Sequence, residues 1–359
     1  MESPVNQLQS FLQDRNWDAF LVAAPEQLTS VNARYLSGFT GSSAYLLVSR
    51  AHAWLVTDFR YIEQAAAECP GWEVVQHGRI ADTLADLVTK NHLWHLGFEG
   101  DQVPFTMLEQ WRQAVPAVWH ATSGVVEVFR IKKGPDEIRK LSEAARIAGD
   151  ALMAVLPGIS GRREDDVAFQ LEIEMRKRGA ESLGFPTIVA SGPRGALPHA
   201  HPTDRRIQPG ELVTIDFGAQ YEGYKSDETV TVAVGEVSNE LKRMYQIVAD
   251  AQAAGIEAAV PGASSYAVDH AARRVIEEAG YGPYFGHGTG HGVGLEVHES
   301  PYTVKMPEAG VALEPGMTLT VEPGIYIPGL GGVRLEDTLL ITETGNKRLT
   351  TVAKEFRSI

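Results

Sequence analysis

The stretch PGELVTIDFG, residues 209–218, aligns without a gap on PGMTLTVEPG, residues 315–324. Each copy has a Pro-Gly turn, a β-branched apolar run typical of a strand, then a carboxylate and, at its last position, a glycine. A second carboxylate follows each copy, at Asp227 and at Glu336. A repeat period of about a hundred residues is too long for a solenoid, so it predicts one duplicated half-domain.

Two such halves facing each other would bring four acids together: Asp216, Asp227, Glu322 and Glu336. Buried carboxylates repel each other and lose their hydration, so a cluster of four needs cations. Oxygen ligands suit Mn²⁺, Co²⁺ or Fe²⁺, and two ions about 3.5–4 Å apart need bridging carboxylates. His291 is the candidate nitrogen ligand. Any one of these acids alone would be interpreted as a strand cap, but four at repeat-related positions predict a metal site.

Composition excludes several classes of protein. The chain has 359 residues, 44% of them hydrophobic, and a net charge of −14, which argues against nucleic acid or an anionic membrane as partner. No apolar run approaches the ~18 residues of a membrane helix. Cys69 is the only cysteine, which excludes an intrachain disulfide and a thiolate zinc site. The first residues lack the features of a signal peptide, so we expect a cytoplasmic protein.

The chain divides into two predicted domains. Residues 1–128 alternate helix and strand patterns, which indicates an α/β domain with a central sheet, and Val125–Val128 is predicted as its last strand. A basic stretch followed by Gly134-Pro135 marks the boundary. Residues 129–359 form the second domain, in which two helices followed by a hairpin occur twice.

Further histidines accompany the acids. His287, His291 and His298 lie in a glycine-rich segment, where glycines permit close backbone approach around inward-pointing imidazoles. The glycine spacing does not match a phosphate loop, and no His-Glu-x-x-His motif indicates a mononuclear zinc protease. His199 lies on an irregular loop, and the residues alone leave it open between the surface and the site.

Taken together, these motifs resemble those of the pita-bread dinuclear metallopeptidases, specifically the Xaa-Pro peptidases aminopeptidase P and prolidase. Residues 1–128 resemble the creatinase-type N-terminal domain that accompanies them. The resemblance implies an α/β N-terminal domain and an α+β pita-bread C-terminal domain with an internal pseudo-two-fold repeat. The segments that carry it are IDFG (215–218), SDET (226–229), HGTGH (287–291), VHE (297–299), VEPG (321–324) and VRLED (333–337).

The resemblance also assigns metal ligands. It implies that Asp227 and Glu336 bridge two divalent ions, that Asp216 chelates one ion, and that His291 and Glu322 complete the other. Mn²⁺ is the expected metal, and Co²⁺, Fe²⁺ or Zn²⁺ would also suit these ligands. Such ions lower the pKa of a bound water to near neutral.

The remaining roles follow from the same resemblance. Glu322 corresponds to a proton-shuttling glutamate, and His199 and His298 to histidines that stabilise the scissile carbonyl and the oxyanion. His287 corresponds to a histidine of the proline-side pocket. Arg334 corresponds to an arginine beside the bridging glutamate, where it would pair with acids or with the substrate.

The expected reaction is metal-dependent hydrolysis of the bond preceding proline, on peptides with proline in second position, by a homodimer. Many microbial prolidases carry an arginine where this chain has Tyr302, which favours an aminopeptidase over a dipeptidase. Val230 replaces the arginine of a common Thr-Arg-Thr motif, so an ion pair behind the ligands is expected to be missing.

Three further functions compete with these two peptidase activities. They are those of a methionine aminopeptidase, a metal-free pita-bread binding module and a creatinase-like hydrolase. Methionine aminopeptidases usually lack this N-terminal domain and the histidine of the proline-side pocket. The complete ligand set counts against the binding module and the creatinase-like hydrolase. The Xaa-Pro peptidases therefore remain the favoured interpretation.

Overall fold

In the computed structural model, which describes residues 2–26 and 31–359, the chain divides into two units, residues 1–130 and 131–359. That residues 1–128 and 129–359 act as separate domains stays a prediction. Among the described residues, no helix combines the length and apolar character needed to cross a bilayer.

The first unit is built on a mixed six-stranded sheet with the order β4-β3-β2-β1-β5-β6. Strands β1, β2 and β3 pair antiparallel, and the remaining neighbours pair parallel. The central strands are buried because both faces are covered by apolar clusters. The strands are β1 (Ala19–Ala24), β2 (Ala44–Ser49), β3 (Ala53–Thr57), β4 (Glu73–Gln76), β5 (His95–Glu99) and β6 (Val118–Thr122).

The helices of this unit are α1 (Pro4–Arg15), α2 (Val31–Ser37), α3 (Ile62–Glu68), α4 (Ile80–Lys90), α5 (Phe105–Ala114) and α6 (Val125–Arg130). The predicted strand at 125–128 is wrong, because α6 occupies these residues and β6 is the last strand. Val125, Val126 and Phe129 pack on one cluster while Val128 is exposed, which is helical spacing. A run of three valines in four residues was too short to distinguish the two periodicities.

The second unit contains four long helices, α7 (Pro135–Val155), α8 (Glu164–Lys177), α9 (Asn239–Ala258) and α10 (Ser265–Glu278). Its first-half strands are β7 (Ser182–Leu183), β8 (Ile188–Ser191), β9 (Glu211–Phe217), β10 (Ala219–Tyr221), β11 (Tyr224–Lys225) and β12 (Glu228–Val234). Its second-half strands are β13 (His291–Gly292), β14 (Glu299–Tyr302), β15 (Thr318–Val321), β16 (Gly324–Ile327), β17 (Gly331–Arg334), β18 (Asp337–Ile341) and β19 (Asn346–Arg348).

Each repeated hairpin buries one apolar face against helices of its own half. Val213 and Ile215 of β9 lie in one cluster with residues of α7 and α8. The repeat-related Leu319 and Val321 of β15 cluster with Val268 of α10 and the end of α9. Because side chains alternate along a strand, the intervening residues point to the opposite face. The predicted carboxylates are among them.

Candidate metal centre

All nine residues predicted for the site line one cavity of about 560 Å³ in the second unit. This volume suits a small ligand such as a short peptide. One wall is apolar and is formed by Phe185, Pro186 and Ile188, and His201 also lines the cavity. The predicted residues that the structure brings together here are His199, Asp216, Asp227, His287, His291, His298, Glu322, Arg334 and Glu336.

The two hairpins deliver their acids in different registers. In the first, Asp216 pairs with Thr229, two residues beyond Asp227. In the second, Val321 pairs with Asp337, so Glu322 and Glu336 are the next positions of the same ladder. The halves are joined where these acids meet, because the Glu336 N–H donates to the Thr229 carbonyl (3.0 Å) and the Thr229 hydroxyl donates to Glu336 Oε2 (2.7 Å).

His291 presents one ring nitrogen to the acids. Its Nδ1 lies 3.0 Å from the Gly292 carbonyl, so in the neutral ring Nδ1 carries the proton and Nε2 carries the lone pair. Nε2 lies 3.3 Å from Glu322 Oε1 and 3.6 Å from Asp227 Oδ2. Metal-binding histidines are held in this way, with the second N–H donated to a carbonyl.

Burial and the charges of neighbouring acids raise the pKa values of three of the four acids. Burial raises the pKa of Asp227 well above its usual value, and the charges of Glu336, Asp216 and Glu322 raise it further. Burial also raises the pKa of Glu336 strongly, with additional repulsion from Glu322 and Asp216. The pKa of Asp216 is raised by burial, although the charge of Arg334 opposes the shift. Without a cation, these carboxylates resist ionisation together.

Glu322 behaves differently from the other three acids. Burial alone would raise its pKa, but the hydrogen bond and charge of His291, together with the charge of Arg334, outweigh burial and lower it. For His291, burial lowers the pKa, but the hydrogen bond and charge of Glu322 outweigh it and raise it. Without a cation, the pair therefore favours a protonated His291 beside an ionised Glu322.

All three nitrogens of the Arg334 guanidinium donate hydrogen bonds within the protein. Its Nη2 donates to Asp216 Oδ2 (2.6 Å) and its Nε to the Thr229 hydroxyl (3.2 Å). Its Nη1 donates to the Pro198 carbonyl and to the Tyr326 hydroxyl, both at 3.1 Å. Of the two roles expected for this residue, the structure contains the pairing with an acid, and the substrate contact stays a prediction.

His287 belongs to the same hydrogen-bond chain. Its Nδ1 is 2.7 Å from the Gly288 carbonyl and its Nε2 is 2.8 Å from the Tyr326 hydroxyl. Burial lowers the pKa of His287, so we assign the neutral ring with the proton on Nδ1, and Tyr326 donates to Nε2 while accepting from Arg334. Both ring nitrogens are therefore engaged within the protein, and the contact of His287 with a substrate stays a prediction.

Sequence reasoning missed Tyr326 and Thr229. Tyr326 lies on β16, in a different sheet from β15, which ends just before Glu322, so strand alternation does not relate the two residues and no sequence signal pointed to Tyr326. Thr229 was quoted only as part of a motif. Neither residue has ligand chemistry of its own, and each matters through its partners.

His298 and His199 complete the cavity wall. The rings of His298 and His291 are 4.3 Å apart. Burial, followed by the charge of His291, lowers the pKa of His298, so its ring is neutral at pH 7. His199 follows Pro198, whose carbonyl is fixed by Arg334. His199 is exposed and is one of the residues that line the cavity, and its role there stays a prediction.

The donor set fits divalent cations. Ligand atoms of Asp227, His291 and Glu336 lie within 4.8 Å of one another. Asp216 Oδ1 and Glu336 Oε1 are buried and accept no hydrogen bond from any described residue. Leaving buried carboxylate oxygens unpaired is costly unless a cation binds them, and carboxylates with one imidazole suit Mn²⁺-type ions.

Comparison with known proteins agrees with this geometry. Residues 138–343 match the model of metallopeptidase family M24, and residues 4–132 match the creatinase/prolidase N-terminal domain. The chain is 46% identical over 334 residues to an uncharacterized peptidase of Bacillus subtilis, covering 91% of this chain and 93% of the relative.

Two solved structures share the whole fold. The Xaa-Pro dipeptidase from Bacillus anthracis has 43% identity and a TM-score of 0.95, with 99% of each chain covered. The X-Pro aminopeptidase from Thermotoga maritima MSB8 has 36% identity and a TM-score of 0.91, with 96% of this chain and 98% of that chain covered.

The chain belongs to metallopeptidase family M24. It is a metallopeptidase whose family implies divalent metal ions, and the predicted pita-bread fold with a creatinase-type N-terminal domain is confirmed. The two structural relatives carry different printed activities at similar likeness, so membership alone does not decide between aminopeptidase and dipeptidase.

Proposed function

We propose that this metallopeptidase hydrolyses the bond between an N-terminal residue and a following proline, releasing the N-terminal residue. The observation that carries the proposal is the convergence of four acids and five imidazoles on one cavity with an apolar wall. The names of the two structural relatives support proline specificity.

In this proposal Asp216, Asp227, His291, Glu322 and Glu336 hold two divalent ions. When bound, such ions act as Lewis acids and lower the pKa of a coordinated water. Glu322 is proposed as the general base, a role that requires an ionised carboxylate at neutral pH.

The histidines are proposed to handle the substrate. His298 is neutral, so it can donate an N–H to the oxygen on which negative charge develops. His199 is proposed to contact the scissile carbonyl. The ring of His287, 5.0 Å from that of Phe285 and at right angles to it, offers an apolar surface that suits a proline ring.

For peptide length we propose the aminopeptidase. Among the described residues lining the cavity, Arg334 is the one lysine or arginine, and its three nitrogens are already engaged. A dipeptidase benefits from a cation that pairs with the carboxylate of its product proline. The name of the Bacillus anthracis relative favours the dipeptidase as the second candidate.

A comparison of Gly-Pro with Gly-Pro-Gly tests both parts of the proposal, with Gly-Ala-Gly as the control for proline. We expect cleavage of the tripeptide with proline, weak cleavage of the dipeptide, and none of the control. Preference for the dipeptide would identify the second candidate. Intact Gly-Pro-Gly and Gly-Pro in the presence of Mn²⁺ and Co²⁺ would refute the proposal.

We further propose that Mn²⁺ is the native ion, that the protein is a homodimer, and that it acts in the cytoplasm. Oxygen ligands with one imidazole suit Mn²⁺ better than Zn²⁺. Metal analysis of protein purified without added ions, light scattering and cell fractionation test these three points separately.

A further inference from the structure

Behind the metal centre lies a buried ion cluster that the proposed reaction does not use. Glu228 and Asp337 immediately follow the two proposed bridging ligands, Asp227 and Glu336. Because strand side chains alternate, Glu228 and Asp337 point away from the cavity. Both are fully buried.

One lysine from the C-terminal segment contacts both of these acids. Lys354 Nζ lies 2.5 Å from Glu228 Oε1 and 3.2 Å from Asp337 Oδ1. The side chain of Lys354 is only 4% exposed. We propose that Lys354 is a positioning residue that holds the two half-domains together at the bridging ligands and thereby sets the geometry of the metal centre.

Further hydrogen bonds hold Lys354 and its two acids in place. The Val352 N–H donates to Glu228 Oε1 (3.0 Å), and Lys354 donates to the Val352 carbonyl (2.9 Å). Asp337 accepts further hydrogen bonds from Thr350 (2.7 Å) and Gln252 (3.1 Å). Arg348 also lies 3.4 Å from Asp337 but is half exposed, so Lys354 is the buried cation that the two acids share.

The contact is transmitted to the ligands through one residue of backbone. The Thr338 hydroxyl donates to the Asp227 carbonyl (2.7 Å), so the two strands that carry the bridging ligands are already in contact. Without the ammonium, Glu228 and Asp337 face each other as buried acids that lack their shared cation, and they are expected to move apart. Asp227 and Glu336 would then separate with them.

This inference rests on the proposed metal ligands, and its test measures ion binding directly. Metal-stripped protein is titrated with Mn²⁺ by calorimetry, with folding checked by circular dichroism. For Lys354→Met we expect 10- to 100-fold weaker binding, the effect typical of losing a group that orients a ligand. Lys354→Arg, which keeps the charge, should bind within about 3-fold of wild type.

Two further variants separate positioning from general stability. Lys354→Met combined with Glu228→Gln removes the unpaired acid together with its cation. This double variant should bind Mn²⁺ nearly as tightly as wild type, whether or not Lys354→Met folds on its own. Arg205→Met is the control, because Arg205 pairs with Glu211 at the far end of β9 from Asp216. It should leave Mn²⁺ binding unchanged.

Wild-type affinity in Lys354→Met, an equal loss in Arg205→Met, or no recovery in the double variant would overturn the inference. A wild-type protein that binds no ions would instead refute the metal centre itself. The two failures are therefore distinguishable.

Discussion

Each unit of the protein buries a cluster of acids beside an arginine, but the two clusters differ in what surrounds them. In the first unit, the amide of Asn32 donates to Glu99 and to Glu127, both at 2.6 Å, and Arg130 donates to the Asn32 oxygen (2.7 Å). In the second unit, the acids meet an imidazole at the wall of a cavity.

The comparison separates burial from function. Burial raises the pKa of Glu99 to about 8, so a strongly shifted carboxyl occurs in both clusters. Among the described residues, only the second cluster places three ligand atoms, including an imidazole nitrogen, within 4.8 Å of one another. A perturbed pKa therefore indicates a buried acid, and the open cavity and the nitrogen donor indicate the chemistry.

The sharpest test of this contrast is Asp227→Asn. We expect kcat/KM to fall by at least about 10³-fold because a bridging ligand is lost. In metal-free protein at pH 7, the same change should raise Tm, because burial and three neighbouring acids penalise the charged Asp227. Glu236→Gln, on an exposed residue beyond β12, should change neither quantity. Retained activity, or a lower Tm without metal, would contradict the assignment.

A second test uses Arg334, the arginine of the cluster in the second unit. Arg334→Met leaves Asp216 buried without its ion pair, so we expect a loss of about 3–5 kcal/mol in stability. Because Arg334 also orders Tyr326 and the loop before His199, kcat/KM should fall roughly 100-fold, within the range attributed to residues that orient ligands.

Lys225 is the matched control for Arg334. It lies two residues before Asp227, as Arg334 lies two residues before Glu336, but it is partly exposed and does not line the cavity. Lys225→Met should change stability by no more than about 0.5 kcal/mol. Equal effects of the two variants would show that the halves use this position in the same way.

Much of this second unit follows from the repeat in the sequence. Two Pro-Gly turns, two apolar runs and four acids predicted two hairpins whose strands the structure places at 211–217 with 228–234 and at 318–321 with 337–341. The resemblance then singled out the histidines. What misled the prediction was the short valine run at 125–128, where helix and strand spacing coincide.

The parts that could not be predicted depend on tertiary contacts. Lys354 meets Glu228 across 126 residues, and no periodicity links a single lysine near the end of the chain to a strand in the first half. The ion pair between Arg334 and Asp216 joins residues 118 positions apart in the sequence, and it depends on how the two hairpins meet. The contacts of Tyr326 with His287 and Arg334 likewise depend on tertiary packing.

Tyr326→Phe should have a smaller effect than the arginine change. It removes the hydroxyl that joins His287 to Arg334 but leaves the ring and both partners. Each of the two buried hydrogen bonds that are lost is worth on the order of 0.5–1 kcal/mol, so we expect kcat/KM to fall about 10-fold. Tyr245→Phe is the control, since Tyr245 is also buried but packs against Phe356 away from the cavity residues. A wild-type kcat/KM for Tyr326→Phe would show that the Tyr326 hydroxyl does not contribute to the reaction.

Glu99→Gln tests the other cluster and should leave activity unchanged. The folded-state pKa of Glu99, about 8, is above its unfolded value of about 4.5, so the folded protein binds the extra proton between these values. Stability from this group is therefore complete below pH 4.5 and is lost as pH rises through 8. Each pKa unit is worth about 1.4 kcal/mol, which makes the loss on the order of 5 kcal/mol.

Glutamine keeps an oxygen that accepts from Asn32 and cannot ionise, so the variant should melt like wild type near pH 5 and at a higher temperature near pH 9. Melting curves of metal-free protein at the two pH values measure the difference. An equal offset at both values would mean that Glu99 is already ionised at pH 5. In that case Asn32 and Arg130 would hold a charged carboxylate. The Glu99 cluster would then not be neutral, and the contrast with the cation-binding cluster of the second unit would be wrong.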